Sequence, residues 1–94
     1  MIVIEKSHFC PVCGFNFYKY SGELPWNGNT PSDDICPSCG IQFGYEDSIY
    51  DEKKRNDIYK KLRENWIKNG MKWWGDKEDM PQNWDPKKQL DNLK

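Results

Sequence analysis

The chain lacks most of what a membrane protein or an enzyme displays. No apolar run approaches the ~20 residues that a membrane-spanning helix needs. Histidine occurs once, at His8, so a single side chain titrates near neutral pH in ordinary surroundings. Neither a serine nor a spare cysteine forms a recognisable nucleophile arrangement with it, which argues against catalysis. Low-complexity stretches are absent. Apolar residues are only 36% of the 94 and charged residues 31%, so a purely aliphatic core would be small. Five Trp, five Tyr and four Phe compensate, because each can bury a large area. One small domain is expected over residues 1–94.

All four cysteines fall in two five-residue clips, Cys10-Pro11-Val12-Cys13-Gly14 and Cys36-Pro37-Ser38-Cys39-Gly40. Each residue type suits metal binding. Cysteine ligates as thiolate. Proline fixes φ near −65° and narrows the turn. Glycine after the second cysteine permits a positive φ, which lets its amide turn toward the sulfurs and stabilise their charge. Two such turns supply four sulfurs and close a tetrahedral site. With Zn²⁺ this is the structural type, with no open position for water or substrate. A single iron in the same four sulfurs is the rival.

Two disulfides are a weaker reading. The stretch Met1-Ile-Val-Ile-Glu-Lys6 is too short for an apolar signal region, so a reducing, cytoplasmic setting is expected. A redox-active CxxC is disfavoured too, since no thioredoxin-like βαβ pattern surrounds either clip. His8 is two residues from Cys10, but four cysteines already fill the site, so a surface role is expected.

Net charge is −1 and unevenly spread. Residues 1–50 carry two lysines against six carboxylates, and residues 51–94 carry twelve Lys/Arg against nine. The cysteine-bearing half is thus the acidic half, the opposite of what a nucleic-acid-binding zinc ribbon presents. Lys53, Lys54, Arg55, Lys60, Lys61 and Arg63 crowd one segment, but Asp51, Glu52, Asp57 and Glu64 dilute them. A solvated face with i, i+4 pairs such as Asp57–Lys61 is expected there.

Local patterns place these features on a small α+β scaffold. Ile2–Ile4, Phe15–Tyr18 and Ile41–Tyr45 read as short strands around the clips. Residues 22–30 are rich in Gly, Pro and Asn and read as loop, with Trp26 as a lid over the metal site or core. Asp33-Asp34 belong to the turn into the second clip. Residues 8–47 are therefore expected to form a zinc ribbon. Residues 48–70 then hold one amphipathic helix, about 51–69, capped by Ser48 or Asp51 and ended by Gly70. Ile58, Leu62 and Trp66 recur at four-residue spacing on its inner face, widened by Tyr59 and Ile67. Residues 71–94 form a Trp-rich segment packed back on the domain. Within it, Asp85-Pro86 predicts a short helix over about 86–93.

The candidate partner surface combines Trp26, the Glu46-Asp47 edge and the Trp73-Trp74 pair. Glu46-Asp47 also fit a plain solvated acidic turn before the helix. Adjacent residues on regular structure point apart, so one of Trp73 and Trp74 is expected in the core and the other outside, although both folding inward is equally consistent.

Taken in order, a CPxCG clip, a loop, Ile35-Cys-Pro-Ser-Cys-Gly40 and Phe43-Gly-Tyr-Glu-Asp47 resemble the small bacterial cysteine-rich CPCC proteins. Arg63, Asn65 and Trp66 on the helix, Gly70, Trp73-Trp74 and Asn83-Trp-Asp-Pro86 extend the resemblance over residues 8–93. It implies a bacterial cytosolic protein with a four-cysteine, rubredoxin-like zinc ribbon, and it brings no activity, substrate or catalytic residue. The expected function is a structural-zinc, protein-binding module, such as an adaptor or an immunity protein. A rubredoxin-like electron carrier and a nucleic-acid-binding ribbon are the alternatives.

Overall fold

Asp51 opens the longest element by accepting the backbone N–H groups of Lys53 and Lys54 at 3.0 and 3.3 Å. The computed structural model describes residues 6–49 and 51–94. The strand expected at Ile2–Ile4 lies outside them. In chain order the elements are a 3-10 turn at Lys6–His8, α1 (Phe17–Ser21), β1 (Trp26–Asn27), β2 (Thr30–Pro31) and α2 (Glu52–Lys68). A 3-10 turn at Lys77–Asp79, α3 (Pro86–Leu90) and a final 3-10 turn at Asp91–Leu93 follow. Among the described residues this is a small α+β arrangement with one two-stranded antiparallel sheet, pairing Trp26 with Pro31 and Asn27 with Thr30.

Two expected strands are replaced. Phe15–Tyr18 is not a strand leaving the first clip. Asn16 makes one bridge to Phe9, then its side chain caps Lys19 N–H at 3.1 Å and starts α1. Gly22 closes that helix onto the Tyr18 carbonyl at 2.8 Å. A cap at one end and a glycine at the other outweigh the β preference of the aromatics between them. After the second clip, only Gln42 bridges, to Ile35, and residues 43–47 turn. The paired strands instead lie in the segment read as loop, where Gly28-Asn29 forms a two-residue hairpin connection.

Helix α2 is 17 residues long, about 25 Å. It ends as a Schellman closure, with Gly70 N–H on the Ile67 carbonyl at 3.1 Å and Met71 N–H on that of Trp66 at 2.8 Å. Its inner stripe is Tyr59, Leu62 and Trp66. Ile58 is half-buried at the edge. Ile67, expected to widen the stripe, is exposed. Two of the basic residues read as a solvated face are half-buried. Arg55 stacks over the Trp26 ring at 4.2 Å, and Arg63 reaches the first clip.

The core joins the cysteines to Val12, Phe17, Ile41 and Phe43, with Phe17 and Phe43 in an edge-to-face pair at 5.1 Å. Asp47 corrects the expectation of an acidic surface edge, because it is fully buried. Its carboxylate accepts the Gly44 N–H at 2.5 Å, the Trp26 indole N–H at 2.8 Å and the Tyr59 hydroxyl at 2.5 Å. One side chain thereby ties the turn after the second clip, the hairpin and α2. A buried acceptor with three donors is stable only while all are present.

Asp47→Ala strands three donors and should destabilise the fold by about 3 kcal/mol or more, read by urea unfolding of the metal-loaded protein. Tyr59→Phe should cost about 1–2 kcal/mol. Burial, and then the Asp47 carboxylate, hold the Tyr59 phenol well above its ordinary pKa of 10.0. The native state keeps that proton where the unfolded chain loses it, so stability falls as pH rises past about 10. In Tyr59→Phe this alkaline slope should be shallower; an unchanged slope would contradict the assignment.

Candidate metal centre

The two clips fold as near copies. In the first, Cys10 N–H donates to the Phe15 carbonyl and Gly14 N–H to the Cys10 carbonyl, both at 2.8 Å. In the second, Cys36 pairs with Ile41 and Gly40 with Cys36, also at 2.8 Å. Gly14 and Gly40 sit at φ +83° and +86°, the left-handed region that the motif requires. Their amides serve the carbonyl of the leading cysteine, however, and not a sulfur as the sequence suggested.

These turns bring the four Sγ atoms of Cys10, Cys13, Cys36 and Cys39 within 4.8 Å of one another. The close pairs cross between the clips: Cys10–Cys39 at 3.8 Å and Cys13–Cys36 at 3.7 Å. A disulfide would hold its sulfurs about 2.05 Å apart. A tetrahedron with metal–sulfur bonds of about 2.3 Å has edges of about 3.8 Å, so the donor set fits one four-coordinate ion. His8 is not among the converging groups. It is half-buried and stacks on Tyr18 at 4.5 Å.

As thiols the four titrate as a set. Burial pushes Cys10 and Cys36 well up. Hydrogen bonds with Cys10 and Cys13, and then burial, raise Cys39. Burial also works against Cys13, but hydrogen bonds from Cys10, Cys36, Cys39 and Ser38 outweigh it and bring Cys13 well down. Burial opposes the charged thiolate form at all four sulfurs. A divalent ion would hold all four as thiolates.

The clips differ in what covers them. Arg63 donates to the Pro11 and Val12 carbonyls at 2.7 and 2.8 Å. Gln89, buried on α3, donates to the Cys13 carbonyl at 3.0 Å and to Ser38 Oγ at 2.9 Å, so it touches both clips. Its oxygen accepts the Trp84 indole N–H at 2.7 Å. Asn92 donates to the Gly14 carbonyl at 2.9 Å. The second clip is held mainly by backbone: Gly75 N–H reaches the Pro37 carbonyl at 2.8 Å, and Trp74 N–H is shared between Pro37 and Ser38. A Cβ on Gly40 would meet the Trp74 indole at 2.6–2.8 Å, so the ring lies directly on that glycine.

The tail therefore packs back through the centre. Trp73 is half-buried, edge-on to Phe15 and Trp84 at 5.5 and 5.3 Å, whereas Trp74 is 59% exposed. Of the other residues singled out as a partner surface, Glu46 is exposed and Trp26 is half-buried, its N–H committed to Asp47. Arg63 carried no local signal for its role, and Gln89 little. The only hint was a polar residue, Gln89, on the apolar side of a short helix.

The uncharacterized protein YoaQ from Bacillus subtilis (strain 168) is 26% identical over 81 residues, covering 73% of this chain and 64% of that protein. The chain thus spans less than two thirds of that relative's length. No family model matches the chain. No solved structure matches it either. Among the described residues no helix is long and apolar enough to cross a membrane.

Replacing any of Cys10, Cys13, Cys36 or Cys39 by serine should lower stability by about 3 kcal/mol or more, because metal binding in a small domain is largely folding free energy. Thermal melts check this. A chelator should bring the parent down to the level of the mutants, and melts that match the untreated parent would contradict a shared ion.

Proposed function

We propose that the four cysteines hold one structural Zn²⁺ and that the chain is a cytoplasmic, zinc-stapled protein-binding module. A place among the small bacterial CPCC-type zinc-ribbon proteins is part of this reading. The observation that carries it is the convergence of four sulfurs, three of them on fully buried cysteines, with Cys39 half-buried. A closed four-thiolate site leaves no coordination position for substrate or an activated water. The buried polar side chains among the described residues, Ser38, Asp47 and Gln89, are all taken up in hydrogen bonds that hold elements together. A role in binding, without turnover, is the reading that uses what remains: exposed aromatics at Tyr45 and Trp74, 73% and 59% accessible. An adaptor or an immunity protein is a specific form of it.

Iron in the same sulfurs is the second reading, favoured by one observation, the partial exposure of Cys39 at one edge of the cluster. Electrons would have a short path there. Elemental analysis and colour separate the two. The expected product is colourless, with one zinc per chain; a red protein with one iron would overturn the zinc assignment. For the binding role, tagged protein should capture a partner that Tyr45→Ala or Trp74→Ala loses. Capture indistinguishable from background for parent and variants alike would overturn it.

A further inference from the structure

The four cysteines of the cluster are not equally sheltered. Cys10, Cys13 and Cys36 are 0% exposed, whereas Cys39 is half-buried. Cys39 also lines an open cleft between the second clip and the C-terminal half of α2. Trp74 forms one wall, its ring set on Gly40, the residue that follows Cys39. The cluster thus meets solvent at a single cysteine. Thiolate character and exposure together decide which cysteine an oxidant attacks. A divalent ion evens out the first by holding all four as thiolates, so exposure decides. Zn²⁺ itself has no redox chemistry, and the electrons must come from sulfur.

A second observation shows what an oxidised Cys39 would meet. Cys10 Sγ lies 3.8 Å away, fully buried and on the other clip. A disulfide needs about 2.05 Å, so the pair has about 1.8 Å to close once the ion leaves. A bond within either clip would leave the two clips separate. A bond from Cys10 to Cys39 keeps them joined, and it closes a chain loop between residues 29 positions apart, which restricts the unfolded state.

We propose that Cys39 is a site of oxidation by hydrogen peroxide, and that oxidation replaces the ion between the clips by a Cys10–Cys39 disulfide. The Cys39 thiolate attacks one peroxide oxygen. The O–O bond breaks, hydroxide leaves, and Cys39 becomes a sulfenic acid. The Cys10 thiolate then attacks that sulfur. An S–S bond forms, the S–O bond breaks, and a second hydroxide leaves. Two thiolates have given two electrons to one peroxide. Cys13 and Cys36 alone do not complete a four-coordinate site, so the ion departs and they take up protons. A thiol reductant reverses the bond and lets the four cysteines reload. The inference rests on the zinc reading above and adds a modification site to it.

The test uses the full, zinc-loaded chain and needs no variant, so it does not depend on a mutant folding. Substoichiometric hydrogen peroxide is added with a sulfenic-acid trap, or with a chromogenic zinc chelator and no trap. The trap should label Cys39 at least about tenfold above any other cysteine. Without it, one zinc should be freed per peroxide consumed, and dithiothreitol with added zinc should restore the loaded form. Trypsin cuts after Lys6, Lys19 and Lys53, which puts the clips on separate peptides, 7–19 and 20–53. The oxidised digest should hold these two joined, with fragmentation placing the bridge at Cys10 and Cys39. In NMR spectra the Trp74 indole N–H should shift, because its ring rests on Gly40 beside the new bond. That of Trp26, bonded to Asp47, should stay in place. Bridges confined within each peptide, labelling spread evenly over the four cysteines, or zinc retained in excess peroxide would overturn the inference and leave the zinc staple standing. Untreated protein that carries no zinc would overturn the zinc reading and this inference with it.

Discussion

Four sulfurs on two turns, each turn contributing one member of each close pair, are the constraint around which the chain is arranged. Cys10 faces Cys39 and Cys13 faces Cys36, so neither clip is a site alone. The chain has few aliphatic residues to compact it, and the paired strands among the described residues are two residues each. Cross-clip convergence takes over the role that a longer sheet would have in a larger domain.

The rest of the molecule works outward from that centre through two buried polar side chains. Asp47 gathers the hairpin, the turn after the second clip and α2. Gln89 gathers α3 and both clips. Each replaces many weak contacts by a few directional ones, which specifies a single arrangement more sharply than apolar packing of the same small area. No buried side-chain nitrogen or oxygen among the described residues is left without a partner. The tail is therefore integral to the fold: Trp73 and Trp84, both half-buried, pack against the core, and Trp74 covers Gly40.

Features written in local grammar were legible in the sequence. The repeated clips announced a four-sulfur cluster. Asp51, Gly70 and Asp85-Pro86 marked the ends of α2 and the start of α3, because capping is a matter of neighbours within a turn. Long-range pairing was not legible. Asp47 looked like a solvated acid because the sequence does not disclose that Trp26 and Tyr59 point at it. Arg63 looked like one basic residue among several, yet it binds carbonyls 51 and 52 positions away. Aromatic residues after each clip suggested strands, but Asn16 and Gly22 turn the first set into a helix, and the Gly28-Asn29 turn makes a hairpin where glycine and asparagine suggested only loop.

X-ray absorption at the metal edge of the purified protein tests the central claim most directly, since it counts and identifies the ligands around the ion. The account predicts a single shell of four sulfurs at about 2.3 Å and no nitrogen or oxygen scatterer. A mixed sulfur–nitrogen or sulfur–oxygen shell, or fewer than four sulfurs, would contradict it.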